Sequence, residues 1–161
     1  MPASNSAELV LLRHGIAEPR QAGRDHPDRP LTAAGRQRTQ VVMAALVRRR
    51  LRLDRLLSSP YRRALQTAEL ALEAGLASGL AVDERLKPGG ALETLLSSVD
   101  GRLGLVGHEP DLGDLACMLL GCPPGGLLLK KAGVIQLHCS AGQWQLQTLL
   151  RPALLIEDLG C

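Results

Sequence analysis

Four consecutive apolar residues near the N-terminus, Leu9-Val10-Leu11-Leu12, stop abruptly at a cation, an imidazole and a glycine, Arg13-His14-Gly15. An unbroken apolar run suits a strand buried on both faces, as in a parallel sheet. Ligands of open α/β sheets sit just beyond the carboxyl ends of such strands. Arginine, histidine and a conformationally permissive glycine at that place are what an anion-handling site uses. A strand end that is merely solvated would carry polar residues too, so the rest of the chain has to decide.

The same grammar recurs downstream. After a polar loop from Ile16 to Pro30, Thr32 is placed to cap a helix over Ala33–Arg50, with Val42, Ala45 and Leu46 on its buried stripe. Leu53–Leu57 reads as a second strand, stopped by Ser58-Ser59-Pro60. Proline suits a first helical turn and Ser59 a cap, so a helix is expected from Pro60 to about Gly75. Arg63 then lies about one turn in, beside free backbone N–H groups that favour anions. Leu80–Val82 forms a short strand, and Ala91–Val99 a short helix. Leu103–Gly107 is another buried strand, ending at His108, and the helix after it closes at Gly121. Ala132–Ser140 and Gln143–Leu150 alternate as a C-terminal β-hairpin around Ala141-Gly142, with Trp144 packed there. If the three strands that precede them are parallel, His14, Arg63 and His108 converge on one edge.

Composition narrows the classes. At 161 residues the chain is read as one domain, with residues 1–7 and about 152–161 as peripheral tails. The aromatic fraction is 1%, so Leu, Ala and Val must build the core, and base-stacking nucleic-acid modules are disfavoured. Arg48, Arg49, Arg50 and Arg52 fall where a helix C-terminus attracts cations, which accounts for them without nucleic acid. No apolar run approaches the ~20 residues that span a bilayer, and the N-terminus has no secretory pattern. A cytoplasmic protein without membrane or nucleic-acid partners is expected. Cys117, Cys122, Cys139 and Cys161 show no metal-ligand spacing, so no metal is assigned and the thiols are expected to be reduced. There is no dinucleotide or P-loop glycine signature, and no other cofactor is assigned.

Two histidines and two arginines suit phosphoryl transfer through a histidine nucleophile. A histidine is readily neutral at working pH. The transferring group spreads charge over three oxygens, which arginine forks bind in fixed geometry. Losing one such donor costs on the order of 10²–10³ in rate.

The residues resemble a known family. Leu12-Arg13-His14-Gly15 is similar to the RHG signature of the histidine phosphatase superfamily, which includes the phosphoglycerate mutases. Arg29-Pro30-Leu31-Thr32, Ser58-Ser59-Pro60-Tyr61-Arg62-Arg63-Ala64-Leu65-Gln66-Thr67-Ala68, Leu86-Lys87-Pro88-Gly89-Gly90, Val106-Gly107-His108-Glu109-Pro110 and Lys130-Lys131-Ala132-Gly133 resemble later blocks in order. The short length and the first and last of these blocks are similar to small SixA-type phosphohistidine phosphatases. The resemblance implies a three-layer α/β/α sandwich around a mostly parallel sheet. It also implies His14 as nucleophile and Arg13, Arg63 and His108 as the phosphate pocket, with Arg62 a neighbour.

Larger members of the superfamily add an acidic proton donor. Here Glu84 is the nearest positional candidate, Glu18 is a second, and a chain with neither is the third reading. Phosphohistidine lessens the need, because imidazole leaves far more readily than an alkoxide. The expected substrate is thus a phosphohistidine-bearing protein. The alternatives are small sugar or nucleotide phosphate esters, or a phosphate-binding module without catalysis. Nothing in the sequence sets an oligomeric state.

Overall fold

A computed structural model describes residues 6–156. The elements are β1 (Ser6–Arg13), α1 (Ala33–Arg48), β2 (Arg55–Ser58), α2 (Arg62–Glu73), β3 (Ala81–Val82), β4 (Arg102–Gly107), α3 (Asp111–Leu120), β5 (Val134–Ser140), β6 (Gln143–Leu150) and α4 (Ala153–Ile156). One sheet runs in the order β3-β2-β4-β1-β5-β6. Its first four strands are parallel, and β5 and β6 return antiparallel as the C-terminal hairpin.

Leu9 to Leu12 are each no more than 1% exposed, as the apolar run demands. Side chains alternate across a strand, so Val10 and Leu12 pack with Val42, Met43 and Ala68 of α1 and α2. Leu9 and Leu11 pack on the other face with Leu112 and Leu115 of α3 and with Leu92 and Leu95. That is the three-layer sandwich. The core is leucine, alanine and valine with few exceptions, as the low aromatic content requires. Truncating a core leucine such as Leu11 to alanine costs about 2–5 kcal/mol.

Register sets up one functional edge. Leu12 and Ser58 both lie beside Val106, so β1, β2 and β4 end level. The residues that follow, His14, Ser59 and His108, leave the sheet together. Val134 of β5 also lies beside Leu12, which brings the 130–133 turn to the same edge. Ala132 adopts the left-handed conformation (φ 58°). Its N–H donates to the carbonyls of both Arg13 and His14 at 3.1 Å. The backbone of the nucleophile candidate is therefore clamped from the turn before β5 as well as from β4.

Several local expectations change. α2 begins at Arg62, not Pro60, because the Tyr61 N–H goes to Ser59 Oγ (3.2 Å) and the Arg62 N–H to the Pro27 carbonyl (2.9 Å). Arg63 therefore lies in the first turn. α1 stops at Arg48, and the segment expected as a helix over 91–99 is a 3₁₀ helix at Leu92–Ser98. Thr32 does cap α1, accepting from the Gly35 N–H at 2.8 Å. Arg49 and Arg52 donate to carbonyls around the end of α1, in line with the dipole argument. Ser6 and Ala7, placed in a tail by the sequence, open β1, while Pro152 and Leu155 are buried. The remaining tail residues, 1–5 and 157–161, and with them Cys161, lie outside the described residues. Cys117, Cys122 and Cys139 are free thiols.

Candidate active site

Arg13, His14, Arg63 and His108 line one cavity of about 480 Å³ at the common strand edge. Glu18, Arg20, Asp25, Arg29, Glu109 and Lys131 line it too. His14 follows β1, and its N–H donates to the Gly107 carbonyl at 3.1 Å. His108 follows β4. Arg63 enters from the first turn of α2 and is 2% exposed, whereas Arg62 points to solvent.

Hydrogen bonding fixes both imidazole tautomers. A carbonyl oxygen can only accept, so Nδ1 of His14, 2.7 Å from the Gly15 carbonyl, carries a proton. Its Nε2 then bears the lone pair, and Arg63 Nε donates to it at 3.2 Å. Arginine only donates, so His108 Nδ1, 3.3 Å from Arg63 Nη2, is an acceptor. His108 Nε2 therefore carries the proton and donates to Ser59 Oγ at 2.8 Å. The rings lie 5.2 Å apart, and Tyr61 packs edge-on against His108 at 5.3 Å.

Electrostatics keeps both rings neutral. Burial pushes His14 down to about 3; the cationic surroundings of Arg63 and Arg13 add to this, and the bond to Gly15 offsets part of it. Burial and then Arg63 bring His108 to about 3 as well. Arg63 is held by Asp25, whose Oδ2 accepts from Nη2 at 2.9 Å while Oδ1 accepts from Arg29 at 2.7 Å. Burial opposes the Asp25 charge, but the Arg29 hydrogen bond and the charges of Arg63, Arg29 and Arg20 outweigh it and lower its pKa. The Arg63 guanidinium also sits 5.0 Å from the Tyr61 ring centre, a cation–π contact. Four of its five N–H donors are engaged, the fourth by the His26 carbonyl.

Asp25, Ser59 and Glu109 are among the site residues that sequence reasoning did not assign. The loop holding Asp25 was flagged as a cover, but nothing singled out one carboxylate within it. Ser59 was read as a helix cap; it accepts from Tyr61 and supports His108 with the same oxygen. The two proton-donor candidates part company. Glu18 lines the cavity, whereas Glu84 does not and pairs with Lys87 at 2.6 Å with its side chain 70% exposed. Glu109 lines the cavity as well, and burial raises its pKa.

The strand order, the two flanking layers and the site at the parallel strand ends define a protein of the phosphoglycerate mutase-like fold. Residues 9–95 match the histidine phosphatase superfamily (branch 1), and the chain belongs to that superfamily. An uncharacterized protein from Picosynechococcus sp. is 40% identical over 149 residues, covering 88% of this chain and 90% of the relative. Among solved structures, the protein histidine phosphatase SixA complexed with tungstate is similar at a TM-score of 0.79 and 23% identity, over 92% of this chain and 99% of that one. A putative phosphohistidine phosphatase SixA from Agrobacterium tumefaciens gives 0.75 and 26%, over 91% and 98%. A putative alpha-ribazole-5'-P phosphatase from Escherichia coli gives 0.73 and 18%, over 92% and 98%. In architecture the chain is thus of the SixA type, and membership implies phosphatase activity on a phosphorylated substrate. Among the described residues no helix is long and apolar enough to cross a membrane, and no group of three or more His, Cys, Asp or Glu could hold a metal ion.

Proposed function

We propose that the protein removes phosphate from phosphohistidine in proteins, through a covalent intermediate on His14. The observation that carries this reading is the neutral His14 with its Nε2 lone pair held against the Arg63 fork. Nε2 attacks phosphorus, the new N–P bond forms, and the substrate P–N bond breaks with its electron pair passing to the departing imidazole. That imidazole takes a proton from solvent as it departs, which makes it a good leaving group. Water then attacks the phosphorus on His14, releasing inorganic phosphate and restoring the neutral ring. Arg63, Arg13 and His108 surround the transferring oxygens, and the arginines supply their positive charge. The SixA-type architecture supports the choice of substrate.

The test is brief exposure to labelled phosphoramidate followed by quenching in alkaline denaturant. An acid-labile phosphoryl label is expected on the wild type and none on His14→Ala. Absence of label, with no turnover by the wild type above that of His14→Ala, would favour the non-catalytic module. Small esters form the second reading, favoured by one observation: Glu109, at the cavity and shifted toward its protonated form, is the kind of acid that an alkoxide leaving group needs. A higher kcat/KM on sugar phosphates than on a phosphohistidine protein, lost in Glu109→Gln, would select it.

A further inference from the structure

We propose that the basin next to the catalytic cavity is a docking groove for the acidic flank of a phosphorylated protein substrate. The inference rests on the reading just given and extends it from the phosphoryl group to the sequence around it. The basin measures about 450 Å³ and is lined by Arg13, Arg38, Lys130, Lys131 and Arg151, with three apolar residues and no carboxylate. It shares Arg13 and Lys131 with the catalytic cavity, so the two adjoin. A chain whose phosphoryl group reaches His14 must pass beside one of the walls of that cavity. This wall carries cations and no carboxylate, whereas Arg20 and Arg29 of the catalytic cavity are accompanied by Glu18 and Asp25.

The five cations are poorly compensated, Glu109 acting on Arg13 from beyond ion-pair distance. Arg29, Arg63, Arg85, Lys87 and Arg102 each form an ion pair. Among the described residues, none of the five groove cations has one. Arg13 spends Nη1 on the Leu129 carbonyl at 2.9 Å, and its buried Nε has no partner. Burial and the neighbouring charges of Arg13, Arg29, Arg20 and Arg63 hold the Lys131 ammonium below its ordinary pKa, so the free protein carries an unfavourable concentration of like charge there. An anionic partner relieves it.

The arrangement also selects the kind of anion. Lys130 and Lys131 sit in the turn that Ala132 clamps to Arg13 and His14, so their backbone is registered to the nucleophile. Arg38 comes from α1 and Arg151 from the residue after β6. Cations that arise from four separate segments around an open basin fit several carboxylates spaced along a peptide. A second phosphate of a compact ester would need a convergent cradle instead. Nucleic acid would gain no aromatic stacking platform here.

The test uses the full chain, a fluorescent hexaglutamate peptide and a charge-reversed variant, Arg38→Glu/Arg151→Glu, whose positions lie outside the catalytic cavity. Anisotropy titration at low salt is expected to show peptide binding by the wild type, weakened at least about tenfold in the variant and by salt. Turnover of a small phosphoramidate should stay within about twofold, while KM for a phosphohistidine protein with acidic flanks rises about tenfold. Equal peptide binding by both proteins overturns the proposal, as does tighter binding of inorganic tripolyphosphate than of the peptide. Arg38→Gln/Arg151→Gln covers the case in which charge reversal prevents folding, with an intermediate loss expected. If the wild type turns over no phosphorylated compound, the phosphatase reading fails while the peptide titration still decides the groove.

Discussion

Nε of Arg63 lies 3.2 Å from Nε2 of His14, on the lone pair that an attack on phosphorus requires. In the free protein the guanidinium thus occupies the place of the electrophile. An incoming phosphate oxygen takes over that donor, freeing the lone pair at the moment the phosphorus arrives. Arg63→Ala should lower kcat/KM on a small phosphoramidate by about 10²–10³. Arg63→Lys restores a charge but not the fork, so it should recover less than the last tenfold. Steady-state kinetics on the two variants checks both steps.

Asp25 is expected to act through Arg63 rather than on substrate. It accepts from Arg63 and from Arg29 with separate oxygens and so aims both cations at the cavity. Asp25→Asn keeps the shape but cannot accept two charge-assisted bonds in the same way. We expect kcat to fall about tenfold with little change in thermal stability. A positioning role also predicts that the Asp25→Asn/Arg63→Ala double variant is no slower than Arg63→Ala alone. Additive losses would argue for two independent roles.

The fold was largely legible because the apolar run at Leu9–Leu12 and its counterpart at Leu103–Gly107 leave few arrangements other than a sheet covered on both faces. The convergence of His14, Arg63 and His108 was legible for the same reason, since each follows a strand end. Helix starts were less so. Whether α2 opens at Pro60 or Arg62 depends on where two N–H groups go, one of them to Pro27 in a distant loop. Asp25 was hidden for a related reason: its partner is 38 residues away, and the polar loop offers Asp28 as an equal on paper. Hydrogen bonds between distant segments leave no periodic trace.

Acidification should destabilise the protein in a defined window. Both site histidines titrate near 3 when folded, against about 6.5 in an unfolded chain. Between these values the unfolded chain binds protons that the folded one does not, so the histidine contribution makes stability fall as pH drops from about 6.5 toward 3 and adds no slope above about 7. Each histidine contributes a slope of at most about 1.4 kcal/mol per pH unit. Urea midpoints between pH 4 and pH 8 should show this slope in the wild type and a shallower one in His108→Gln. Bound phosphate favours the charged rings, so NMR titration should show both histidines moving upward when it is added.

Gly15 is required by space. A Cβ there would stand 2.3 Å from Thr39 Oγ1 and 3.3 Å from Leu31 Cδ2. Thr39 is fully buried, and its hydroxyl is committed to the Gly35 carbonyl at 2.7 Å, so it cannot turn away cheaply. The Gly15 N–H in turn donates to Thr67 Oγ1 at 3.0 Å, which ties the loop to α2 one turn beyond Arg63. Gly15→Ala must therefore push either α1 or the His14 backbone outward, at a cost of about 1–3 kcal/mol. Activity should fall along with stability, because His14 is the adjacent residue. Thr39→Ala removes the clashing oxygen. The Gly15→Ala/Thr39→Ala double variant should then be more stable than the sum of its single losses, an interaction of about 0.5–3 kcal/mol. Chemical denaturation of the four proteins measures it, and strict additivity would mean that the glycine serves something other than this contact.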